Sequence, residues 1–297
     1  IILENTSLIK DQGSALTFLG LTLIGVYLIK SIGSIAINYV IIRFGQLQQV
    51  RIRKELINSY QNLSYLEFLR RKTSDFIYSI QTLTGQFADT VVISSLRAIS
   101  DIIVILFILV FLSTKSLLAL FVLLMTFLVL IFIYQKVFTV RLPSYGVNAN
   151  NAMSSLIKTS TEALTGFKEI RVLQKASFFT DFIAKEANKV AFNNTYYSLI
   201  TAAPRYFFEF FIIIFLILMV ISFVSSDITS SDLLSTTAIF ITAAVRLIPG
   251  ASSIISSISQ LRFARNSVSR LYQDLEELDL LDPQDLVSKN EIFVEQT

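Results

Sequence analysis

Cysteine and histidine are both absent from the 297 residues of the sequence. Without cysteine the chain cannot form disulfide bonds or thiolate metal sites, and without histidine it lacks the commonest metal ligand and the commonest general base. Two glycine-rich motifs that bind phosphate, G-x-x-x-x-G-K-[ST] and G-x-G-x-x-G, are also missing. We therefore expect no catalytic site, metal site or cofactor on this chain, and we expect any nucleotide to bind beyond Thr297.

Charged residues make up only 16% of the sequence, whereas soluble domains contain about a quarter. Hydrophobic residues account for 53%, and the mean hydropathy is +0.64. The apolar residues are concentrated in runs of the length needed to cross a bilayer, about 20 residues each. The composition predicts a multi-pass membrane protein with membrane lipid around it and no nucleic acid among its partners. The first residues, IILENTSLIKDQG, have no basic n-region, so no cleavable signal peptide is predicted.

Five hydrophobic segments predict five membrane crossings, over residues 15–42, 90–112, 117–134, 206–224 and 233–249. Only residues 113–116 separate the second segment from the third, so these two should form a tight antiparallel hairpin. The fourth and fifth segments are also joined by a short connection, at residues 225–231.

The other two connections, residues 43–89 and 135–205, are long and contain few turn formers. Their apolar residues recur every three or four positions, which predicts amphipathic helices that prolong the membrane helices into water. Basic residues are frequent in these extensions, while the short connections contain only Lys115. By the positive-inside rule, the extensions and the C-terminus should be cytoplasmic and the short turns external, in a plasma (inner) membrane.

Both ends of the sequence look interrupted, since it begins with Ile1 rather than Met and stops in the alternating segment IFVEQT. An odd number of crossings with an external start suggests that a first membrane helix precedes residue 1. We therefore expect the chain to be part of a longer polypeptide.

Helix pairs with minimal external turns and very long cytoplasmic prolongations resemble the transmembrane domain of a type I, six-helix ABC exporter. The resemblance implies an all-α membrane bundle over residues 1–275, without the first helix, that forms a homodimer. It also implies that residues 276–297 are a linker and the start of a missing nucleotide-binding domain. ATP and Mg would bind in that domain, which would also carry the ATPase activity.

In this family each cytoplasmic connection turns through a short coupling helix that docks on a nucleotide-binding domain. The resemblance places the first coupling helix in SYLEFLRRKTSD, residues 64–75, and the second in residues 174–183, which begin QKASFFTDF. Coupling contacts are accordingly implied for five residues: Tyr65, Phe68, Leu69, Phe178 and Phe179.

Two stretches narrow the resemblance to one branch of these exporters. AAPRYFFEF, residues 202–210, and AAVRLIPGASSIISSISQLRFARNSVSRLYQDL, residues 243–275, resemble the fifth and sixth helices of exporters of polysaccharide or lipid-linked oligosaccharide. The function implied is ATP-driven flipping of a lipid-linked oligosaccharide or polysaccharide precursor.

Six charges lie within or beside the predicted crossings: Lys30, Arg97, Asp101, Arg205, Glu209 and Arg246. A helical rise of about 1.5 Å per residue places most of them in the inner half of the membrane. Arg97 with Asp101, and Arg205 with Glu209, are four residues apart and can neutralise each other within one helix. The remaining excess of positive charge suits an anionic group such as the pyrophosphate of a lipid carrier. This predicts that Arg205, Glu209, Arg246 and Lys30 bind an anionic lipid-linked cargo.

Other interpretations of these features remain open at this point. Arg205 can snorkel to the inner head groups, and Lys30 and Arg246 can make structural bonds. Pro204 and Pro249 predict helix kinks, which can be hinges or static bends. The same architecture also fits an exporter of peptide, toxin, drug or lipid. A channel or a receptor built from a helix bundle is a third interpretation.

Overall fold

The computed structural model describes residues 12–114, 117–224 and 230–280. Within some helical stretches, such as residues 230–241 and position 246, only the backbone is described. The chain divides into two compact units, Ile1–Gly45 and Gln46–Thr297, and each is treated by itself below.

The described residues form eight helices and no strand, so the predicted all-α fold is confirmed. We number the helices in chain order: α1 Gln12–Gln61, α2 Tyr65–Arg70, α3 Thr73–Ser113, α4 Leu117–Phe138, α5 Leu142–Thr165, α6 Phe167–Val172, α7 Ala176–Val224 and α8 Ser230–Leu280. Helix α3 contains two π-helical segments, Tyr78–Leu83 and Phe87–Ile93. The linker predicted to begin at residue 276 is helical as far as Leu280, and the rest of it lies outside the described residues.

Three helical stretches in the described part of the chain are long and apolar enough to cross a membrane: Leu16–Gln61, Thr73–Ser113 and Ala176–Ile214. The pair Leu124–Phe138 and Leu142–Thr165, bent by 43° at a short break, passes the same test when taken together. Four of the five predicted crossings therefore lie on such helices. The fifth, residues 233–249, is helical within α8, and most of its side chains lie outside the described residues.

Helix α2 begins where the sequence carries a capping-box motif, Ser64-x-x-Glu67. The Ser64 hydroxyl oxygen accepts the Glu67 N–H at 3.3 Å, and the Glu67 carboxylate accepts the Ser64 N–H at 3.3 Å. Two backbone donors that would otherwise lack partners are thus satisfied, which fixes the start of a helix of only 6 residues.

Helix α6 ends in a hydrogen-bonded reversal that determines where α7 starts. The Lys175 N–H donates to the Ile170 carbonyl at 3.0 Å, and the Gln174 N–H donates to the Arg171 carbonyl at 3.3 Å. This is the bond pattern of a Schellman cap, and it places Gln174 at a φ of 53°. The separate short helix of this connection is therefore Phe167–Val172, whereas the sequence-based interpretation put it at residues 174–183. That segment forms the end of the reversal and the first turns of α7.

Two apolar cores hold the larger unit together. The first is formed by α3, α4, α7 and α8: Leu112, Phe127, Leu130, Tyr134, Phe208, Ile212, Leu247, Ala251 and Ile255. The second lies around the start of α3: Leu56, Tyr60, Phe76, Tyr78, Leu83 and Leu271. Helix α8 contributes to both cores.

A row of polar pairs, here called the polar ladder, joins α8 to α3 and to the turn after α2. Its contacts are Ser253–Asp101, Gln260–Ser94, Ser267–Gln86 and Asp274–Arg71. The α8 members are spaced by seven residues throughout. On α3 the spacing is seven between Asp101 and Ser94 but eight between Ser94 and Gln86, and the π-helical segment Phe87–Ile93 lies between those two positions. A π-helix accommodates one extra residue in a turn, so the ladder stays in register.

Pro204 lies inside α7, where its ring nitrogen cannot donate the usual bond to the Ile200 carbonyl. The hydroxyl of Tyr134, a fully buried side chain on α4, donates to that carbonyl instead. A neighbouring helix thus supplies the donor that proline removes, which is how proline is tolerated in membrane helices.

Candidate functional site

A cleft of about 720 Å³ lies between α7 and α8. The two helices are antiparallel, since Tyr197 stacks on Phe263 at 4.1 Å while Ile212 and Leu247 share one core. Each end of the cleft therefore draws on the early part of one helix segment and the late part of the other.

The lining of this cleft changes in character along its length. Four side chains of the lining carry hydroxyls: Thr201, Ser252, Ser253 and Ser256. The antiparallel register places Ser252 and Ser253 on α8 level with Arg205 and Glu209 on α7. The end beyond them is apolar: Ile212, Ile213, Val245 and Ile248. The cleft thus presents hydroxyls and charges together, followed by hydrocarbon.

Arg205 and Glu209 form the ion pair that their spacing predicts. The Arg205 Nε–H donates to Glu209 Oε1 at 2.9 Å, and the side chain of Arg205 remains 71% exposed. This bond uses one of the five N–H donors of the guanidinium group. A planar group of this kind binds phosphate or carboxylate oxygens through two parallel hydrogen bonds.

Two serines of the cleft, Ser252 and Ser253, have their hydroxyl protons engaged within the protein. The Ser252 hydroxyl donates to the carbonyls of Ile248 and Pro249 at 2.8 and 2.9 Å. The Ser253 hydroxyl donates to the carboxylate of Asp101 on α3. Both oxygens keep acceptor lone pairs, so what these serines present to the cleft is acceptor capacity.

Pro249 forms part of the cleft wall inside α8. Because proline has no N–H, the carbonyl of Val245 cannot receive the helical hydrogen bond from position 249.

The structure brings together two of the four predicted cargo residues, Arg205 and Glu209. The side chain of Arg246 lies outside the described residues, although its neighbour Val245 lines the cleft. Lys30 belongs to the smaller unit, where its ammonium lies 5.5 Å from the centre of the Tyr27 ring.

Sequence reasoning missed the serines of the cleft. The run SSIISS, residues 252–257, places hydroxyls in a segment next to a predicted crossing, which is a signal for a polar helix face. The spacing also offered Arg97 as a possible partner for Asp101, and the structure gives the Asp101 carboxylate a partner on another helix, Ser253.

The residues predicted to couple to a nucleotide-binding domain lie on or beside the short helices. Tyr65 and Leu69 on α2 are 77% and 60% exposed, and Phe68 stacks on Phe76 at 5.3 Å. On the first turns of α7, Phe178 is exposed and its ring lies 5.5 Å from that of Phe179.

Helix α2 is tied to the end of α8 by charge. Arg71, at the C-cap of α2, donates to the carboxylates of Asp274 and Glu277. Tyr60 donates to Asp274 as well, so one partly buried carboxylate side chain holds two donors. On the next residue along the chain, hydrogen bonding and repulsion from Lys158 lower the pKa of Lys72.

Comparison with known proteins gives two findings. The family model described as the ABC transporter transmembrane region matches residues 2–247 of the chain. Among solved structures, a bacterial Atm1-family ABC exporter with ATP bound is similar with a TM-score of 0.68 and 14% sequence identity. The similarity covers 94% of this chain and 49% of that chain, so this chain spans about half the length of the exporter it matches.

Proposed function

The chain belongs to the ABC transporter transmembrane region family, and from this we propose that it is the membrane-spanning part of an ATP-driven exporter that flips a lipid-linked oligosaccharide or polysaccharide precursor. Its multi-pass helical bundle has the fold of an ABC exporter transmembrane domain. Beyond this fold, we propose that transport is directed outward and that the cargo is a lipid-linked saccharide.

The cleft between α7 and α8 is the observation that carries the proposal. It combines an exposed guanidinium with an apolar wall, and an anionic lipid needs both. An intramembrane arginine is costly unless it faces protein or water, and a cleft that opens between two helices provides such a surface. The Arg205–Glu209 pair keeps the guanidinium neutralised until an anionic cargo takes the place of the carboxylate.

The partners follow from the proposal. Two copies of the chain would enclose one translocation cavity, and each would act with a nucleotide-binding domain that holds ATP and Mg. In the cell, the extensions that carry α2 and α6 would lie in the cytoplasm, where those domains are.

Closing of the nucleotide-binding domains would reach the cleft through the short helices and the polar ladder. We assign the docking contacts to Tyr65, Phe68 and Leu69 on α2 and to Phe178 and Phe179 after α6. Arg71 then links α2 to α8, which also forms one wall of the cleft. Movement of α2 would therefore be transmitted along α8.

The test measures how cargo stimulates ATP hydrolysis by the full-length protein in liposomes, with a polyprenyl pyrophosphate oligosaccharide as the probe. Arg205→Ala should raise the half-maximal probe concentration by about tenfold or more, the scale of a lost charged hydrogen bond. Arg205→Lys should restore only part of this loss, because an ammonium lacks the planar fork.

Arg51 provides a matched control. It forms an exposed pair with Glu55 at the same spacing, Nε to Oε1 3.0 Å, and its side chain is also 71% exposed, but it lies outside the cleft. Arg51→Ala should leave the half-maximal concentration unchanged. If Arg205→Ala behaves like Arg51→Ala, the cleft is not the cargo site. If peptides or drugs stimulate hydrolysis and the lipid-linked probe does not, the cargo assignment is wrong.

A further inference from the structure

We propose that an anionic phospholipid binds where α4 ends and α5 begins, with its phosphate on the guanidinium group of Arg262 and its acyl chains along α4. The lipid belongs to the leaflet on the side of the helical extensions, which the proposed topology makes the inner leaflet. None of the residues assigned to it below lines the cleft between α7 and α8. The site is therefore separate from the cargo site and does not depend on what the cargo is.

Arg262 is a half-buried side chain of α8 that reaches across to the end of α4. Its Nη2–H donates to Gln135 Oε1 at 2.9 Å, and its Nη1–H donates to the hydroxyl oxygen of Thr139. The Thr139 hydroxyl donates in turn to the Gln135 carbonyl at 2.7 Å, which fixes the arrangement. Both acceptors are uncharged. Within the described part of the chain, three of the five N–H donors of the guanidinium group remain for a ligand.

The surroundings of Arg262 supply positive charge and little negative charge. Asp and Glu are absent from residues 117–161 of α4 and α5 and from residues 233–273 of α8. Arg265 lies one turn further along α8, Arg141 lies two residues beyond Thr139, and both are exposed. Among the described residues none of these three arginines forms an ion pair. A half-buried guanidinium group without a counter-charge is costly, and a bound anion offsets that cost.

The sequence and the aromatic side chains place this site at a membrane boundary. Helix α4 is predominantly apolar, whereas α5 begins in the polar stretch RLPSYGVNANN, residues 141–151. About one turn beyond the break, Tyr145 stacks on Tyr196 of α7 with ring centres 5.5 Å apart. Tyrosine is enriched where the membrane meets water. The guanidinium group of Arg262, beside the last turn of α4, therefore lies at the depth of lipid phosphates, where basic side chains between helices bind anionic head groups.

The surface of α4 next to Arg262 suits acyl chains. Phe132, Val137 and Val140 are exposed there, so hydrocarbon that covers them buries apolar surface. A phosphate at Arg262 and chains along α4 reproduce the orientation of a phospholipid in that leaflet. The head group must carry net negative charge, because the cation of choline would be repelled by Arg141 and Arg265.

The experiment follows the melting temperature of the full-length protein in detergent micelles while phosphatidylglycerol or phosphatidylcholine is added. A ligand that binds the folded state raises the melting temperature. Phosphatidylglycerol should therefore stabilise the unmodified protein at a lower concentration than phosphatidylcholine does. Arg262→Gln removes the charge and should raise the half-maximal phosphatidylglycerol concentration by about tenfold, the scale of a lost charged hydrogen bond. Arg262→Lys retains the charge and should lose less.

Arg270→Gln is the matched control. Arg270 also donates to an uncharged side chain, that of Asn151, but it lies about two turns further along α8, roughly 12 Å beyond Arg262. This variant should leave the phosphatidylglycerol response unchanged. Arg205→Ala, which removes the guanidinium group of the cleft, should leave it unchanged as well. Inorganic phosphate at the same concentrations should not replace the lipid, because it has no chains to cover α4.

Four results would overturn the proposal: equal stabilisation by the two lipids, an unchanged response in Arg262→Gln, an equal loss in Arg262→Gln and Arg270→Gln, or an equal effect of inorganic phosphate. A response lost in Arg205→Ala and kept in Arg262→Gln would assign the lipid to the cleft instead. Arg141→Gln changes an exposed side chain and tests the site even if Arg262→Gln does not fold. It should raise the half-maximal concentration by about threefold, and no change would also count against the site.

Discussion

Tyr134 supplies the hydrogen bond that Pro204 removes from the backbone of α7. Pro204 removes the helical donor for the Ile200 carbonyl, and the Tyr134 hydroxyl replaces it. Inside a bilayer no water is available to take over this bond. The proline and the tyrosine should therefore be energetically coupled although they lie on different helices.

We predict that Tyr134→Phe lowers the free energy of unfolding in mixed micelles by about 0.5–2 kcal/mol, because it leaves a carbonyl without a donor. In a Pro204→Ala background an N–H is again present at position 204, so the same change should cost clearly less. The free energies of the two single variants and the double variant form a thermodynamic cycle. Additive effects in that cycle would show that the hydroxyl does not substitute for the proline.

At the scale of single elements, the end of α6 carries conformational strain. Gln174 adopts a φ of 53°, a region that costs a residue with a Cβ atom about 1–2 kcal/mol and costs glycine almost nothing. Gln174→Gly should therefore raise the free energy of unfolding by about 1 kcal/mol. Gln273→Gly, at an exposed position within α8, should lower it by about the same amount because glycine disfavours a helix interior. Chemical denaturation of both variants tests the opposite signs, and equal signs would contradict the assigned cap.

Helices α5 and α8 approach each other so closely that only glycine fits at one contact. A Cβ atom on Gly146 would lie 2.1 Å from the carbonyl oxygen of Phe263, and a backbone atom cannot move aside as a side chain can. Gly146→Ala should therefore lower the melting temperature and disturb the α5–α8 contact. Gly20→Ala is the matched control, since a Cβ atom there meets nothing within 4 Å, and this variant should be neutral or stabilising. Equal melting temperatures for the two variants would rule out the close contact.

Local patterns could be predicted from the sequence, and contacts between distant segments could not. The Arg205–Glu209 pair depends on two residues four positions apart on one helix, so its spacing was sufficient. The spacing offered Asp101 a possible partner within α3, Arg97, but the Asp101 carboxylate accepts from Ser253 on α8, because helix packing decides which donor comes close. The end of α6 could not be predicted, because the C′ position that usually carries glycine is occupied by Gln174.

At the scale of the whole molecule, the polar ladder connects α3 and α8 at several points along their length. Its four contacts repeat every seven residues along α8 and extend from the wall of the cleft to Arg71 at the end of α2. A shift of α8 by one helical turn would break all four. We therefore expect these two helices to move together during transport.

The orientation in the membrane is tested by labelling single introduced cysteines, since these 297 residues contain none. A cysteine at Thr114, at the end of α3, should react with an impermeant thiol reagent in intact cells. Cysteines at Lys72 and Lys175, beside the short helices, should react only after the cells are opened. The reverse pattern would invert the proposed topology and the direction of transport.

ATP-dependent movement of a fluorescent lipid-linked oligosaccharide across liposomes that contain the full-length protein is the most direct measurement. The proposed function predicts transport only with hydrolysable ATP. At limiting cargo the rate should fall strongly in Arg205→Ala and remain normal in Arg51→Ala. Transport that is equal with and without ATP, or equal in Arg205→Ala and the unmodified protein at limiting cargo, would contradict an exporter that loads its cargo at the cleft between α7 and α8.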